Sequence, residues 1–505
     1  MAFVFGVPLV ERSNKGWTRG MPPPRAGRRL VVRNTQQLSR PVGSGELSEE
    51  DNRMKDRDMN ASVREFVCEE SLASAEETIA LNNEVERVID GKTVEARRNC
   101  TELGADGTRA VHGGERVKGG KKGKAVMDAL TTPVVLSSTF TFRNSAECIM
   151  YNMGKYESFE YGRYGNPTTR AAEEKLAVLE CADDALISSS GMNAVTTMLL
   201  SLVPENGHIV VTTDCYRRTR QFIRTLLPKM GIRATVIDPA DIESLERILE
   251  TEGADLFFSE SPTNPQLRVV DTPRIVDICK KYKTISVIDT TFATPVNCKP
   301  ITEGADLVLH SGTKYLAGHN DVLCGALAGR GDLVAQVRGL HGILGGVVDP
   351  HAAYLLIRGM KTLELRIMQQ NRTAEQLAQY LYRHPKIARV WYPTIPNHPD
   401  FETAKRQASK GWGGVLSFEV AGDPWAKSTF DKTNKFVDAL KIPYIGPSLG
   451  GTESLVEQVC IMGYFDQPLE ARMSFGITNG FVRFACGIEN TSDIINDVSQ
   501  ALAQI

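Results

Sequence analysis

From about residue 183 the chain alternates short apolar, often β-branched runs with longer stretches that can coil as amphipathic helices. The runs fall at 185–187, 208–212, 234–237, 256–258, 285–288 and 307–309. Apolar runs of this length, bounded by turn residues, read as buried strands. Strands that alternate with helices read as a mostly parallel sheet covered on both faces. A helical pattern over 195–202 follows the first run directly. A helix over 360–383 is expected to lead into a smaller C-terminal domain with strands at 389–391, 415–420 and 482–486. In an open α/β sheet the ligand lies beyond the carboxyl ends of the strands, so each strand end is a candidate wall of a site.

The first hundred residues lack this pattern. Residues 1–42 hold eight Lys/Arg against one acidic residue, Glu11, with no apolar core long enough for secretion, and read as an organelle transit peptide. The balance then turns acidic, and 43–107 read as a disordered linker or regulatory arm with a weak helix near 75–89. The run G-G-E-R-V-K-G-G-K-K-G-K (113–124) invites a phosphate-loop reading but ends in no G-K-[ST] and follows no strand, so a solvated arm is expected.

Composition narrows the classes. The 505 residues are 42% hydrophobic and 24% charged, enough for more than one domain. Lys+Arg 59 against Asp+Glu 61 gives no cationic excess for a nucleic acid, and no apolar run approaches a membrane span. The ten cysteines are scattered, with no C-x-x-C pair and no zinc-type spacing, which suits a reducing compartment and argues against a structural metal.

The strand ends carry chemistry. Lys314, in H-S-G-T-K-Y-L-A-G-H, follows an apolar run and sits among Ser311, Gly312 and Thr313. A Schiff-base lysine for pyridoxal phosphate needs such a place, with an amine of lowered pKa and an anion clamp beside it; taken alone, the motif reads equally as a surface lysine after a strand. Asp289 ends the run I-S-V-I, and a carboxylate there needs a partner; a protonated pyridine nitrogen would serve, as would a structural salt bridge. S-S-S-G-M-N-A (188–194) puts small residues at a strand-to-helix turn that can take an anion or be a plain turn. T-D-C-Y-R-R-T-R offers Tyr216 for stacking on a ring and Arg217, Arg218 and Arg220 as a cation cluster, or simply a solvated helix face. E-S-P-T-N-P (260–265) offers the amide of Asn264 between two prolines.

In this order and spacing, S-S-G-M, D-C-Y, E-S-P-T-N-P, D-T-T-F-A-T-P and S-G-T-K-Y-L-A-G-H resemble the transsulfuration (Cys/Met metabolism) family of pyridoxal-phosphate enzymes, over roughly 108–505. The resemblance implies a fold-type I α/β architecture. Its seven-stranded, mostly parallel sheet has helices on both faces and a smaller C-terminal α/β domain. The implied organisation is an arm over 108–170 that contacts a neighbouring subunit, a cofactor domain over 171–359 and a C-terminal domain over 360–505. It also implies roles. Lys314 would carry the cofactor and shuttle protons, Asp289 would hold the pyridinium, Tyr216 would stack on the ring, and Asn264 would reach its 3-oxygen. Gly191, Met192, Ser311 and Thr313 would bind the phosphate, joined by Tyr161 and Arg163 of a neighbouring subunit, which makes the protein a homodimer or homotetramer. Arg483, in F-V-R-F-A-C-G-I-E, would grip the substrate carboxylate, assisted by Ser448.

Four segments most resemble the plant-type γ-synthase branch: F-E-Y-G-R-Y-G-N-P-T, T-T-D-C-Y-R-R-T-R, K-I-P-Y-I-G-P-S-L-G-G-T-E-S-L and A-R-R-N-C. The branch implies γ-replacement in the chloroplast stroma, joining an activated homoserine, O-phosphohomoserine, to L-cysteine to give L-cystathionine for methionine synthesis. The arginine cluster would meet the leaving phosphate. The alternatives are an O-acylhomoserine sulfhydrylase, a cystathionine or methionine lyase, and a non-catalytic cofactor-binding paralogue. Arg218 stands where the methionine γ-lyases carry a cysteine. Two departures from the branch pattern are Asn193 after S-G-M, and V-C-I-M-G-Y-F-D (459–466) where a proline and Ser-Tyr-Trp are usual.

Overall fold

The computed structural model describes residues 104–114, 129–407 and 410–505. The expected transit peptide, the helix near 75–89, A-R-R-N-C and nearly all of the acidic arm and the Gly/Lys run lie outside them. Seven strands form the larger sheet: β1 (Asp184–Ser188), β2 (His208–Thr212), β3 (Arg233–Ile237), β4 (Leu256–Glu260), β5 (Ile285–Asp289), β6 (Leu307–His310) and β7 (Gly325–Gly329). Their order is β1-β7-β6-β5-β4-β2-β3. The β2–β3, β2–β4, β4–β5 and β5–β6 pairs are parallel, whereas β7 runs antiparallel to β1 and β6. Every strand but β7 therefore points the same way, and the ends of β1, β2, β4, β5 and β6 share one edge.

All six expected runs are strands. The seventh, G-A-L-A-G, is built of residues that disfavour strands, and its place is set by packing. A Cβ at Gly325 would stand 2.1 Å from the Ser190 carbonyl oxygen, so the loop after β1 closes on it only because it is glycine.

Alternation along the strands divides the sheet's faces. Val211, Phe258, Val287 and Leu309 pack on one side against helices Gly191–Leu202, Arg217–Thr225 and Gly331–Leu344. Val210, Phe257 and Ile288 pack on the other against Ile242–Thr251 and Thr272–Tyr282. Helix Pro167–Glu180 lies over the β1–β7–β6 end within the largest cluster, which continues into the second sheet. That sheet holds β8 (Ile387–Trp391), β9 (Val415–Val420), β10 (Tyr444–Ile445), β11 (Leu455–Gln458) and β12 (Phe481–Ala485) in the order β10-β11-β12-β9-β8. The strand over 415–420 is as expected, that over 482–486 lies one residue earlier, and β10 and β11 are additions.

The single helix expected over 360–383 is two, Pro350–Lys361 and Leu363–Tyr382, parted at Thr362 (φ −108°, ψ 11°). The cause is Arg366, a charged residue buried to 4% exposure. Its Nη2 donates to Gly359 O at 2.7 Å, its Nη1 to Tyr315 O at 2.8 Å and its Nε to Thr362 Oγ1 at 3.2 Å. In a continuous helix Gly359 O would accept from Leu363; here it takes the Thr362 N–H and the guanidinium instead. Upstream, helix Asp106–His112 is fastened by Asp106 to Lys299 at 2.8 Å and Lys410 at 2.9 Å.

Candidate active site

Lys314 lies in the turn that leaves β6. Its N–H donates to Ser311 O at 3.0 Å and its carbonyl accepts from Gly318 N at 2.8 Å, where Gly318 has φ +72°. Arg366 secures the same turn through Tyr315 O. The Lys314 Nζ donates to Ser448 Oγ at 2.9 Å. Burial first, then the charge of Arg483, lowers its pKa to about 8, and Glu457 opposes the shift. A substantial fraction is then neutral amine at physiological pH, which an ordinary lysine is not.

Arg483, on β12, is almost fully buried. Its Nη1 donates to Asn264 Oδ1 at 3.2 Å and pairs with Glu457 Oε1 at 3.2 Å, and its Nη2 donates to Ser448 O at 3.1 Å. Lys314, Ser448, Asn264 and Arg483, read singly from the sequence, are thus one connected group.

At the end of β5 the Asp289 Oδ1 accepts from Thr291 N at 2.8 Å and Thr291 Oγ1 at 2.6 Å. Its Oδ2 has no donor among the described residues, which is the condition for receiving a ring N–H. Burial pushes its pKa up, while the Thr291 donors and His310 pull it down. Beside it in register is Glu260, the last residue of β4. Burial and then the charge of Asp289 hold Glu260 well above the usual carboxylate range, against the Tyr216 N–H and Arg220. The Tyr216 N–H donates to Glu260 Oε1, and the ring of Tyr216 is 46% exposed at the start of helix Arg217–Thr225. Glu260 was not singled out from the sequence, although it ends an apolar run just as Asp289 does.

The turn after β1 caps helix Gly191–Leu202. Ser190 Oγ accepts from Asn193 N at 3.1 Å, and the N–H groups of Gly191 and Met192 have no acceptor among the described residues. A Cβ at Gly191 would stand 3.1 Å from that of Ser311, so the glycine lets this helix end meet the Lys314 turn. Ser311 N donates to Thr291 Oγ1 at 2.8 Å and its own hydroxyl is unengaged among the described residues. Thr313 differs: its hydroxyl donates to Cys324 O at 3.1 Å and accepts from Cys324 N at 2.9 Å, so in this state it faces β7 rather than an anion. The Asn193 side chain lies against Gly346, with Oδ1 buried and without a partner among the described residues.

Tyr161 and Arg163 stand apart from this group. Arg163 donates to Gly342 O at 2.6 Å and lies over the Tyr164 ring at 4.7 Å, and Tyr161 is 43% exposed. The arginine cluster is divided. Arg217 donates to Gly463 O and pairs with Asp466 at 3.3 Å. Arg220 donates to Tyr464 Oη at 2.9 Å and lies 4.5 Å over the Phe475 ring. Arg218 is exposed and bonds only Gln221, at 2.8 Å, among the described residues. The departing segment 459–466 is therefore what engages two of the three arginines.

The residues present fit one group: an amine of lowered pKa, an open carboxylate oxygen at a neighbouring strand end, and a glycine-lined helix N-terminus with unengaged N–H groups. Among the described residues no cluster of three or more His, Cys, Asp or Glu can hold a metal, and no helix is long and apolar enough to cross a membrane. Fold and site together define a fold-type I pyridoxal-phosphate enzyme. Residues 111–503 match the model of the Cys/Met metabolism PLP-dependent enzymes, and the chain belongs to that family. It is 53% identical over 403 residues to "Cystathionine gamma-synthase 1, chloroplastic" of Arabidopsis thaliana, covering 80% of this chain and 70% of that one. The tobacco (Nicotiana tabacum) protein of the same name is likewise 53% identical, with 80% and 73% covered. The solved structure of metB from Corynebacterium glutamicum superposes with a TM-score of 0.71 at 30% identity, covering 80% of this chain and 99% of that chain.

Proposed function

We propose that this chain joins an activated homoserine, O-phosphohomoserine, to L-cysteine, forming L-cystathionine for methionine biosynthesis. The observation that carries the reading is the joining of Lys314 and Arg483 through Ser448. It places a proton-transferring amine one residue away from a buried guanidinium suited to an α-carboxylate. In the net reaction the Cγ–O bond of the ester breaks, the cysteine Sγ–Cγ bond forms, and phosphate leaves with the thiol proton. Pyridoxal phosphate, when bound, supplies the electron sink that acidifies the substrate's α- and then β-hydrogens.

The chain's own residues do the rest. Lys314 anchors the cofactor and then moves protons, for which a pKa of about 8 is suited. Asp289 offers its open oxygen to the pyridinium, Tyr216 its ring face, and Asn264 its amide to the 3-oxygen. Gly191, Met192 and Ser311 hold the phosphate, and Thr313 joins them after turning its hydroxyl from Cys324. Arg483 and Ser448 orient the amino acid. Arg218, the exposed member of its cluster, meets the leaving phosphate, with Arg217 and Arg220 joining where segment 459–466 yields them.

Tyr161 and Arg163 lie away from their own chain's group, which accords with their reaching a neighbouring subunit's phosphate in a homodimer or homotetramer. The division into an arm over 108–170, a cofactor domain over 171–359 and a C-terminal domain over 360–505 belongs to the same reading. Two relatives carry "chloroplastic" in their names. With the basic 1–42 stretch they support action in the plastid, which we place in the stroma. Incubation with O-phosphohomoserine and cysteine tests the reaction: stoichiometric cystathionine and phosphate are expected, whereas sulfide or methanethiol in their place would overturn it.

A further inference from the structure

Glu457 is a buried carboxylate that the proposed reaction does not use. It faces Arg483 directly across the β11–β12 ladder, and the two side chains are 8% and 5% exposed. The valence of Arg483 makes the contact informative. A guanidinium has five N–H donors. One on Nη1 goes to Asn264 Oδ1 at 3.2 Å and one on Nη2 to Ser448 O at 3.1 Å, while Glu457 Oε1 stands 3.2 Å from the same Nη1 as an ion pair. One Nη2–H and the Nε–H are left without an acceptor among the described residues. Those are the two donors that a second carboxylate needs for a paired contact.

We propose that Glu457 is a positioning residue for amino-acid recognition. It holds Arg483 through Nη1 so that the remaining donors face the substrate α-carboxylate, and as a buried anion it balances Arg483 and Lys314 before substrate arrives. An arginine this buried with no carboxylate beside it would be an uncompensated charge, and its side chain would be free to turn toward whatever anion entered. The charged groups acting on Lys314 are Arg483 from β12, which favours its neutral form, and Glu457 from β11, which favours its ammonium form. Arg483 and Lys314 in turn are the charges acting on Glu457, whose pKa burial pushes up against them. The inference rests on the amino-acid substrates proposed above, but its electrostatic half concerns the chain alone.

The test uses Glu457→Gln, which keeps an oxygen acceptor and removes the charge, and Glu457→Asp, which keeps the charge on a shorter arm. In holoenzyme, Glu457→Gln is expected to raise KM for the homoserine ester roughly tenfold with kcat changed far less, since an Arg483 no longer held in place loses about one charge-assisted hydrogen bond to the substrate carboxylate, which is worth about that factor. Glu457→Asp is expected to recover most of the loss. In cofactor-free chain, the pH dependence of Lys314 labelling by trinitrobenzenesulfonate, read by peptide mass spectrometry, should move to lower pH in Glu457→Gln and stay near wild type in Glu457→Asp. An unchanged KM overturns the proposal, as does a Lys314 titration that does not move. If both variants merely fold less well, with KM and titration of the folded fraction intact, Glu457 is structural and the proposal fails. Should Glu457→Gln not fold, Glu457→Asp decides: a KM raised less than tenfold with the Lys314 titration held supports the role, and an unchanged KM overturns it. If the wild-type chain makes no cystathionine, the proposed reaction falls, and the Lys314 titration still decides the role of Glu457.

Discussion

The Lys314 ammonium donates to Ser448 Oγ at 2.9 Å although the two residues are 134 apart in the chain. The contact ties the turn after β6 to the loop before β11, and it leaves the amine inside a largely desolvated space that already holds Arg483. The cofactor aldehyde is attacked by the neutral amine, and a group with a pKa of about 8 becomes neutral as pH rises through 8. Covalent capture of pyridoxal phosphate by cofactor-free chain should therefore accelerate about tenfold per unit below that pH and level off above it. Growth of the visible absorbance after mixing, followed from pH 6 to 10, checks this. A rate still climbing tenfold per unit between 8.5 and 10 would mean that Lys314 is an ordinary lysine. Lys314→Ala should show no capture at any pH.

Arg483→Lys keeps the charge and removes the planar pair of donors. Lysine's point charge cannot serve Asn264, Glu457, Ser448 O and an incoming carboxylate together. The loss of one charge-assisted hydrogen bond is worth about 1.5–3 kcal/mol, so kcat/KM should fall roughly 10- to 100-fold if one is lost and up to about 10,000-fold if two are. Cofactor absorbance should be nearly unchanged, because Arg483 is not placed at the cofactor. Steady-state kinetics and a spectrum of the same sample separate the two effects, and a lost spectrum with a normal KM would move Arg483 out of substrate binding.

The arginine cluster predicts an asymmetry. Arg218→Ala removes the exposed cation and should raise KM for O-phosphohomoserine several-fold while leaving KM for O-acetylhomoserine unchanged, with the difference shrinking at high salt. Arg217→Ala breaks a surface pair with Asp466 worth at most about 1 kcal/mol and should leave the preference between esters much closer to wild type. Equal effects on both esters in the Arg218 variant would show that this residue does not select the leaving group.

How much of this could be read from the sequence depended on where each residue's environment came from. β2, β4, β5 and β6 announce themselves because a parallel strand buried on both faces must be apolar along its length, and Asp289 stands out because a charge ends such a run. Glu260 ends the run L-F-F-S in the same way, so the signal was present. β7 carries no such signal, since glycine and alanine are there to let Ser190 approach. Glu457 was hidden because β11 is four residues long and its meaning comes from the residue across the ladder. The three arginines of 217–220 read as one cluster, and only the fold, by bringing in 463–466, separates them. Thr313 was read from its position in S-G-T-K, but the hydroxyl's direction is set by Cys324, the residue that leads into β7.

Arg366 shows the same limit and yields the last prediction. In L-E-L-R-I-M-Q-Q it has the spacing of a solvated helix residue, yet it is 4% exposed, and burial lowers its pKa to about 10. Its function is geometric: one guanidinium joins Gly359 O, where the helix breaks, to Tyr315 O, the residue after Lys314. Close approach is required on both sides, since a Cβ at Gly359 would stand 2.2 Å from Ala317 O and one at Gly318 2.0 Å from Arg366 Nη1. Arg366→Met fills much of the volume but leaves Tyr315 O unpaired and Gly359 O with the Thr362 donors alone; an unpaired buried carbonyl is worth about 1–3 kcal/mol, and the chain should be destabilised by roughly that amount. The Lys314 turn should loosen with it. In denaturant titrations followed at the cofactor's absorbance and by far-ultraviolet circular dichroism, the variant should lose the cofactor signal at lower denaturant than the backbone signal, while both fall together in wild type. Coincident transitions in the variant would mean that Arg366 supports the helices alone and does not hold the Lys314 turn in place.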